Sequence, residues 1–263
     1  MTGTVPVPPY PTPRGLLLGK TVVVTAAAGT GIGFAVAKRA AEEGAALLIS
    51  DFHERRLAEA ADRIADEVGI ERPATFVCDV TSEDAVRGLR DAALSTLGRV
   101  DVLVNNAGLG GEADVVDMSD EQWCRVLDVT LTSLFRMTRA FLPAMYAAKS
   151  GVMVNNASVL GWRAQKGQAH YAAAKAGVMA FTRCAAIEAA EHGVRINAVA
   201  PSLAMHPFLA RVTSEEALAR LVEKEAFKRP AEVWEVANVM IFLASELSSY
   251  MTGEIVPVSS QHA

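Results

Sequence analysis

Cysteine is scarce in this chain. Cys78, Cys124 and Cys184 are the only three in 263 residues. Their odd number and wide spacing exclude a disulfide framework, suit a reducing compartment and offer no metal-ligand pair. Long apolar runs are also missing, since none approaches the roughly 20 residues needed to span a bilayer. The sequence does not open on a basic stretch followed by a hydrophobic one, so no secretory leader is expected. An excess of one charge is lacking too, and a net charge of −5 argues against nucleic acid as the main partner. These absences together lead us to expect a cytoplasmic protein with no metal, no membrane and no nucleic-acid partner.

Apolar residues make up 51% of the chain, enough for the core of one large domain. Residues 1–15 stand apart from it. Val5–Arg14 holds five of the eleven prolines and therefore favours extended, polyproline-like backbone. It reads as a loose arm preceding the domain, the alternative being a ligand for a proline-recognition module.

From residue 16 onward, short β-branched runs alternate with amphipathic stretches. Strands are expected at Lys20–Thr25, Ala46–Ser50, Thr75–Cys78, Val100–Val104, Val152–Asn155, Val194–Val199 and Glu254–Val258. Helical patterns fall at Gly33–Glu43, Glu54–Val68, Ser82–Leu97, Glu121–Ala148, His170–His192 and Ala231–Ala244. Such alternation predicts right-handed βαβ units and an α/β fold: one domain, a doubly wound parallel sheet with helices on both faces. The alternation breaks after Pro201, where about residues 202–228 read as a helical insertion placed to cover a ligand.

The link from the first strand to the first helix is Ala26-Ala27-Ala28-Gly29-Thr30-Gly31-Ile32-Gly33. Glycines there let backbone approach a pyrophosphate, which the helix N-terminus then attracts. Asp51 ends the second strand eighteen residues after Gly33. An acid in that position binds the ribose hydroxyls of NAD and repels the 2′-phosphate of NADP, so NAD is expected and NADP disfavoured. Phe52 follows where an NADP enzyme would often carry arginine.

Tyr171 and Lys175 lie four apart on a predicted helix, on one face, with Ser158 thirteen residues before the tyrosine. Taken alone, such a pair is more often a half-buried ring beside a solvated amine. As a functional pair, the ammonium would lower the pKa of the phenol, ordinarily about 10, and fit it for proton exchange with a substrate oxygen.

These residues together resemble the short-chain dehydrogenase/reductase family over roughly Gly19 to the C-terminus. Asn105-Asn106-Ala107-Gly108 resembles its NNAG segment and Asp79-Val80 its adenine-contacting pair. Arg195–Pro201 is similar to the stretch that leads to the nicotinamide contact. The resemblance implies a Rossmann-type fold and a catalytic set of Ser158, Tyr171 and Lys175. Ser158 would stabilise the substrate oxygen, Tyr171 would exchange the proton, and Lys175 would hold the nicotinamide ribose. The cofactor contacts implied are Gly29, Thr30, Gly31, Ile32, Gly33, Asp51, Asp79, Val80, Asn106, Ala107, Gly108, Pro201 and Ser202, besides Tyr171 and Lys175.

Four positions depart from the family pattern. Ala27 replaces the first glycine if Gly31 and Gly33 are aligned; otherwise the loop from Thr25 is one residue longer, with Gly29 relieving the turn. Thr130 stands for the asparagine that helps a water join the lysine to a proton relay, and its hydroxyl suits either a backbone carbonyl or a water. Pro201-Ser202 replaces Pro-Gly, with His206 near a threonine that touches the carboxamide; the histidine either takes that contact or faces solvent. Val258-Ser259-Ser260-Gln261 replaces the usual tail.

Leu109, Leu160, Trp162, Leu203, Met205 and Phe208 lie in segments expected to face the substrate. Packing of a lid accounts for such residues, and if several line the cleft they suit a bulky ring or acyl chain. Arg163 and Lys166 are either solvated or set to meet an anionic handle. The glycine loop, the start of the second helix and the tail resemble those of actinobacterial members linked to steroid-ring catabolism. The expected function is NAD(H)-dependent interconversion of a secondary alcohol and a ketone on a bulky hydrophobic or acyl-coenzyme A-linked substrate, derived from a steroid ring if that resemblance holds. The alternatives are an NADPH-dependent 3-oxoacyl thioester reductase and a catalytically silent dinucleotide-binding protein. A homotetramer built on the two long helices is the assembly the resemblance implies.

Overall fold

Val22 and Val24 pack into the apolar layer on one side of the sheet and Val23 into the layer on the other, and all three are buried. A strand apolar on both faces belongs inside a sheet that is covered on both sides. The computed structural model describes residues 4–206 and 215–260. In chain order the elements are β1 (Thr21–Thr25), α1 (Ile32–Glu42), β2 (Ala46–Asp51), α2 (Glu54–Val68), β3 (Ala74–Val77), α3 (Glu83–Leu97) and β4 (Val102–Asn105). There follow α4 (Asp120–Leu127), a π-helical turn (Asp128–Thr132), α5 (Ser133–Ala148), β5 (Gly151–Asn156), α6 (Ala169–Ala190) and β6 (Val194–Pro201). The chain continues through β7 (Ala204–Met205), α7 (Glu215–Lys224), β8 (Ala231–Glu232), α8 (Val233–Ala244) and β9 (Ile255–Val258).

Seven strands form a parallel sheet in the order β3-β2-β1-β4-β5-β6-β9. The order reverses between β1 and β4, which opens the crevice where doubly wound sheets bind ligands. Helices α1, α2 and α8 cover one face, and α3, α5 and α6 the other. This is the doubly wound single domain expected from the alternation, with the Rossmann-type fold that the resemblance implies.

The structure corrects three expectations. The single helix expected over Glu121–Ala148 is two helices joined by the π turn, which reorients the segment around Thr130. Ala231 and Glu232 are not helical; they form β8, which pairs with β7 across the neck of the insertion (Ala204↔Ala231, Met205↔Glu232). The arm is not loose. Tyr10 donates to Glu42 at 2.5 Å and meets Trp234 edge-on at 5.4 Å, while Arg39 donates to the Pro11 carbonyl at 2.8 Å.

Glu43 anchors the root of the arm. Fully buried, it accepts the Arg14 and Leu16 N–H groups at 2.9 Å each and the Arg39 guanidinium at 2.6 Å. An amide there cannot satisfy all three donors with the same charge. Glu43→Gln is therefore expected to cost about 2 kcal/mol and, in a domain of this size, to lower Tm by about 4–8 °C. An unchanged melting curve would show that the buried pair adds no net stability.

Candidate active site

The ends of β1 and β4 are joined by one hydroxyl. Thr25 Oγ1 donates to the Val104 carbonyl at 3.3 Å and accepts the N–H groups of Asn106 (3.0 Å) and Ala107 (3.3 Å). The Asn106 amide in turn donates to the carbonyls of Thr25 (3.3 Å) and Ala26 (3.1 Å). The left-handed backbone falls on Ala26 (φ 50°) and Gly29 (φ 115°) and not on Ala27, which is buried and pairs with the Ser50 carbonyl. The loop thus takes the longer form from Thr25, with Ala26 carrying the conformation that glycine would adopt more easily.

Gly33 marks the tightest approach. A Cβ on it would stand 2.3 Å from the Ala26 oxygen and 2.5 Å from Asn106 Nδ2. Gly31 caps α1 without a side-chain hydrogen bond, and no acid occupies the first turn. With Thr30 and Ile32, it leaves the helix N-terminus suited to an anion.

Asp51 is buried at the end of β2 and accepts the N–H groups of Ala28 (3.2 Å) and His53 (3.0 Å). Burial raises its carboxyl pKa, opposed by the Ala28 N–H and by the charge of Arg56. Asp79 Oδ1 accepts the N–H and hydroxyl of Thr81 at 2.9 and 2.7 Å. Asp51, Phe52, Asp79, Val80, Ala107 and Gly108 line an open groove of about 840 Å³ that runs on along α4. That volume suits a large organic ligand.

The catalytic candidates converge beyond the end of β5. Ser158 caps the short 3-10 turn Val159–Gly161, accepting the Leu160 N–H at 3.2 Å, and its side chain lies near enough to Tyr171 to lower the pKa of the phenol. Lys175, one turn along α6, is buried and donates to the Asn156 carbonyl at 2.5 Å, with its Nζ 5.5 Å from the Tyr171 ring centre. Burial pushes the Tyr171 phenol up to about 12, although the Ser158 side chain lowers it, and pushes the Lys175 ammonium down to about 7. The sign expected for the phenol is thus reversed in the protein alone. Burial sets that sign, because it disfavours the charged phenolate, and the same burial disfavours the charged form of Lys175. The phenol is an acid in hand over the whole neutral range.

The Thr130 hydroxyl accepts the Leu109 N–H at 3.0 Å and donates to the Leu109 carbonyl at 3.2 Å. Of the two partners open to it, the backbone is the one it takes. Thr25, Asn105, Thr130 and Asn156 line a cavity of about 10 Å³, and Asn105 and the half-buried Asn156 each have a buried side-chain oxygen with no protein partner. That is about the room of one water.

Pro201 ends β6 and Ser202 follows it, with the Ser202 N–H on the Val258 carbonyl at 3.1 Å. His206 is half-buried, which lowers its imidazole pKa, so it does not merely face solvent. Leu109, Leu160, Leu203 and Met205 are half-buried and Trp162 is exposed. Lys166 pairs with Asp114 at 3.1 Å. Phe208 and Gln261 lie outside the described residues. Two contributors went unrecognised in the sequence. Asn156 holds Lys175 through its carbonyl and Asn106 through its amide (2.9 Å), and the buried His170 precedes Tyr171 with Nδ1 unpartnered. The doublet Asn155-Asn156 just before Ser158 was the available signal for the first; nothing marked the second.

Among the described residues, no helix is long and apolar enough to cross a membrane, and no group of three or more His, Cys, Asp or Glu residues is arranged to hold a metal. Residues 26–260 match the family model described as enoyl-(acyl carrier protein) reductase. The chain is 62% identical over 250 residues, 95% of each protein, to the (5R,7aS)-5-hydroxy-7a-methyl-1-oxo-2,3,5,6,7,7a-hexahydro-1H-indene-carboxyl-CoA reductase of Mycobacterium tuberculosis. It is 36% identical, over 92% of this chain and 97% of the other, to the 3-oxoacyl-[acyl-carrier-protein] reductase of Thermotoga maritima. A short chain dehydrogenase from Mycobacterium smegmatis has the same fold at TM-score 0.86, with 57% identity over 98% of this chain and 99% of that one.

Proposed function

Because the chain belongs to the short-chain dehydrogenase/reductase family, we propose that it reduces a ring ketone on a bulky, coenzyme A-linked bicyclic acid, with NADH as reductant. The convergence of Ser158 and Lys175 on the Tyr171 side chain carries the reaction class. The substrate class follows the indene-carboxyl-CoA reductase that this chain resembles.

A nicotinamide dinucleotide fits the residues present. The open end of α1 and the close approach at Gly33 suit its pyrophosphate, Asp51 its adenosine ribose, and Asp79-Val80 its adenine. When bound, it supplies the hydride. Ser158 then holds the ketone oxygen while charge develops there, and Tyr171 gives that oxygen its proton. Lys175 in its ammonium form stabilises the phenolate left behind. With a pKa near neutrality, it exchanges its own proton readily. Thr130 fixes the backbone at Leu109, a residue of the loop that skirts Tyr171.

The preference for NADH rests on Asp51 and on the groove's other carboxylates, Asp79, Glu121 and Asp128, against Arg125. Replacing Asp51 with alanine removes charge-assisted hydrogen bonds to the ribose. The ratio of kcat/KM for NADH over NADPH is expected to fall about 10- to 100-fold. A wild-type preference for NADPH would contradict this assignment and favour the 3-oxoacyl thioester reductase reading.

The exposed Phe135 on α5 and Ile187 on α6 support a homotetramer formed through these helices, measurable by sedimentation. A cytoplasmic setting accords with the few free cysteines.

A further inference from the structure

The two ends of the chain meet at one short segment, the exit of the insertion. From the N-terminal side, the Val5 N–H donates to the Phe227 carbonyl at 3.0 Å and Arg229 Nε donates to the Val5 carbonyl at 3.1 Å. From the C-terminal side, the Ala226 N–H donates to the Ser260 carbonyl at 3.1 Å. The Ser260 hydroxyl donates to the buried Glu225 carboxylate at 2.7 Å. Arg229 is then held by both oxygens of Glu235 at 2.7 and 2.8 Å. Below this, the Ala231 N–H donates to the Leu203 carbonyl at 2.8 Å and closes the neck.

Such brackets are costly to order unless they hold something in place. The arm is tied at its other end to α1 through Tyr10, Pro11 and Glu43, so it runs as a strap from the rigid core to the insertion. Helix α7 ends at Lys224, immediately before the bracketed residues. The placement of its C-terminal end therefore depends on segments remote in sequence.

We propose that the proline-rich arm and the C-terminal tail form a clasp that positions α7 over the substrate cleft, making Val5, Arg229 and Ser260 determinants of specificity for bulky substrates. This rests on the reading that the insertion covers the substrate of a ketone reductase. The clasp acts on substrate and not on dinucleotide, because its contacts lie on the insertion and not on the glycine loop, Asp51 or Asp79.

The test compares the full chain with a variant lacking residues 1–9 and with Val5→Pro and Ser260→Ala. The point variants remove one hydrogen bond each and serve where the truncation folds poorly. Hydrogen exchange of residues 215–224 needs no substrate, and kinetics with trans-decalone and NADH read the function. The expected result is exchange in α7 faster by about tenfold on truncation and by less in the point variants. KM for trans-decalone should rise several-fold, with KM for NADH and the melting curve unchanged. Unaltered exchange in α7 overturns the clasp, and faster exchange with an unaltered trans-decalone KM overturns its role in specificity. Should the full chain fail to reduce trans-decalone, the ketone-reductase reading is what fails, and α7 exchange still decides the clasp.

Discussion

Tyr171→Phe is expected to lower turnover of a ketone by about 10²- to 10⁴-fold while NADH binds as before. The substitution keeps the ring and deletes only the hydroxyl, so packing of α6 should persist. Lys175 is held by the Asn156 carbonyl and Ser158 by the Leu160 N–H, and neither contact depends on the phenol. The loss should therefore appear in kcat, because the group removed acts in proton transfer. Its size reflects what remains. Ser158 can still bind the carbonyl oxygen, but no acid stands ready to protonate it. If the phenylalanine variant turned over a confirmed substrate at the parent rate, the dinucleotide-binding fold would remain and the assigned chemistry would not.

Gly33→Ala is the second substitution with a large expected effect, here on cofactor affinity. The added carbon would sit 2.3 Å from the Ala26 oxygen, far inside contact distance. Relief by movement is blocked on both sides. Ala26 already occupies left-handed backbone, and its carbonyl is hydrogen-bonded to Asn106. Pushing that carbonyl aside also disturbs the Asn106 amide, which joins the loop to the end of β4. We expect NADH affinity to fall about 100-fold, equivalent to about 2.7 kcal/mol, with a lower Tm. Gly31→Ala is the control for the fold, since a Cβ there meets nothing within 4 Å. Equal melting curves and equal NADH affinity for Gly33→Ala and the parent would mean that the loop is more compliant than its hydrogen bonds imply.

Much of this was legible in the sequence because it is local. Strand and helix alternation follows from periodicity within each segment, and Tyr171 and Lys175 share a helix face whatever surrounds them. Asp51 and Gly33 are placed by counting along one βαβ unit. What escaped depends on distant partners. The π turn at Asp128–Thr132 is not written in the apolar pattern of Glu121–Ala148, and its Thr130 bonds to Leu109. The arm looked loose because proline-rich backbone has few donors, yet its carbonyls and Tyr10 find Arg39, Glu42 and Trp234. The phenol pKa could not be read from spacing either. A lysine four residues away promised a lower value, while the depth of burial, a property of the whole fold, raised it to about 12.

Deuterium transfer tests the central claim most directly. The protein is incubated with trans-decalone and NADH deuterated at the transferable position, and the decalol formed is examined by mass spectrometry, beside the same reaction with Tyr171→Phe. If the chain is a ketone reductase with Tyr171 as proton donor, the parent places one deuterium on the carbinol carbon and the variant forms almost no labelled decalol. Decalol without deuterium, or equal labelled product from both proteins, would contradict it.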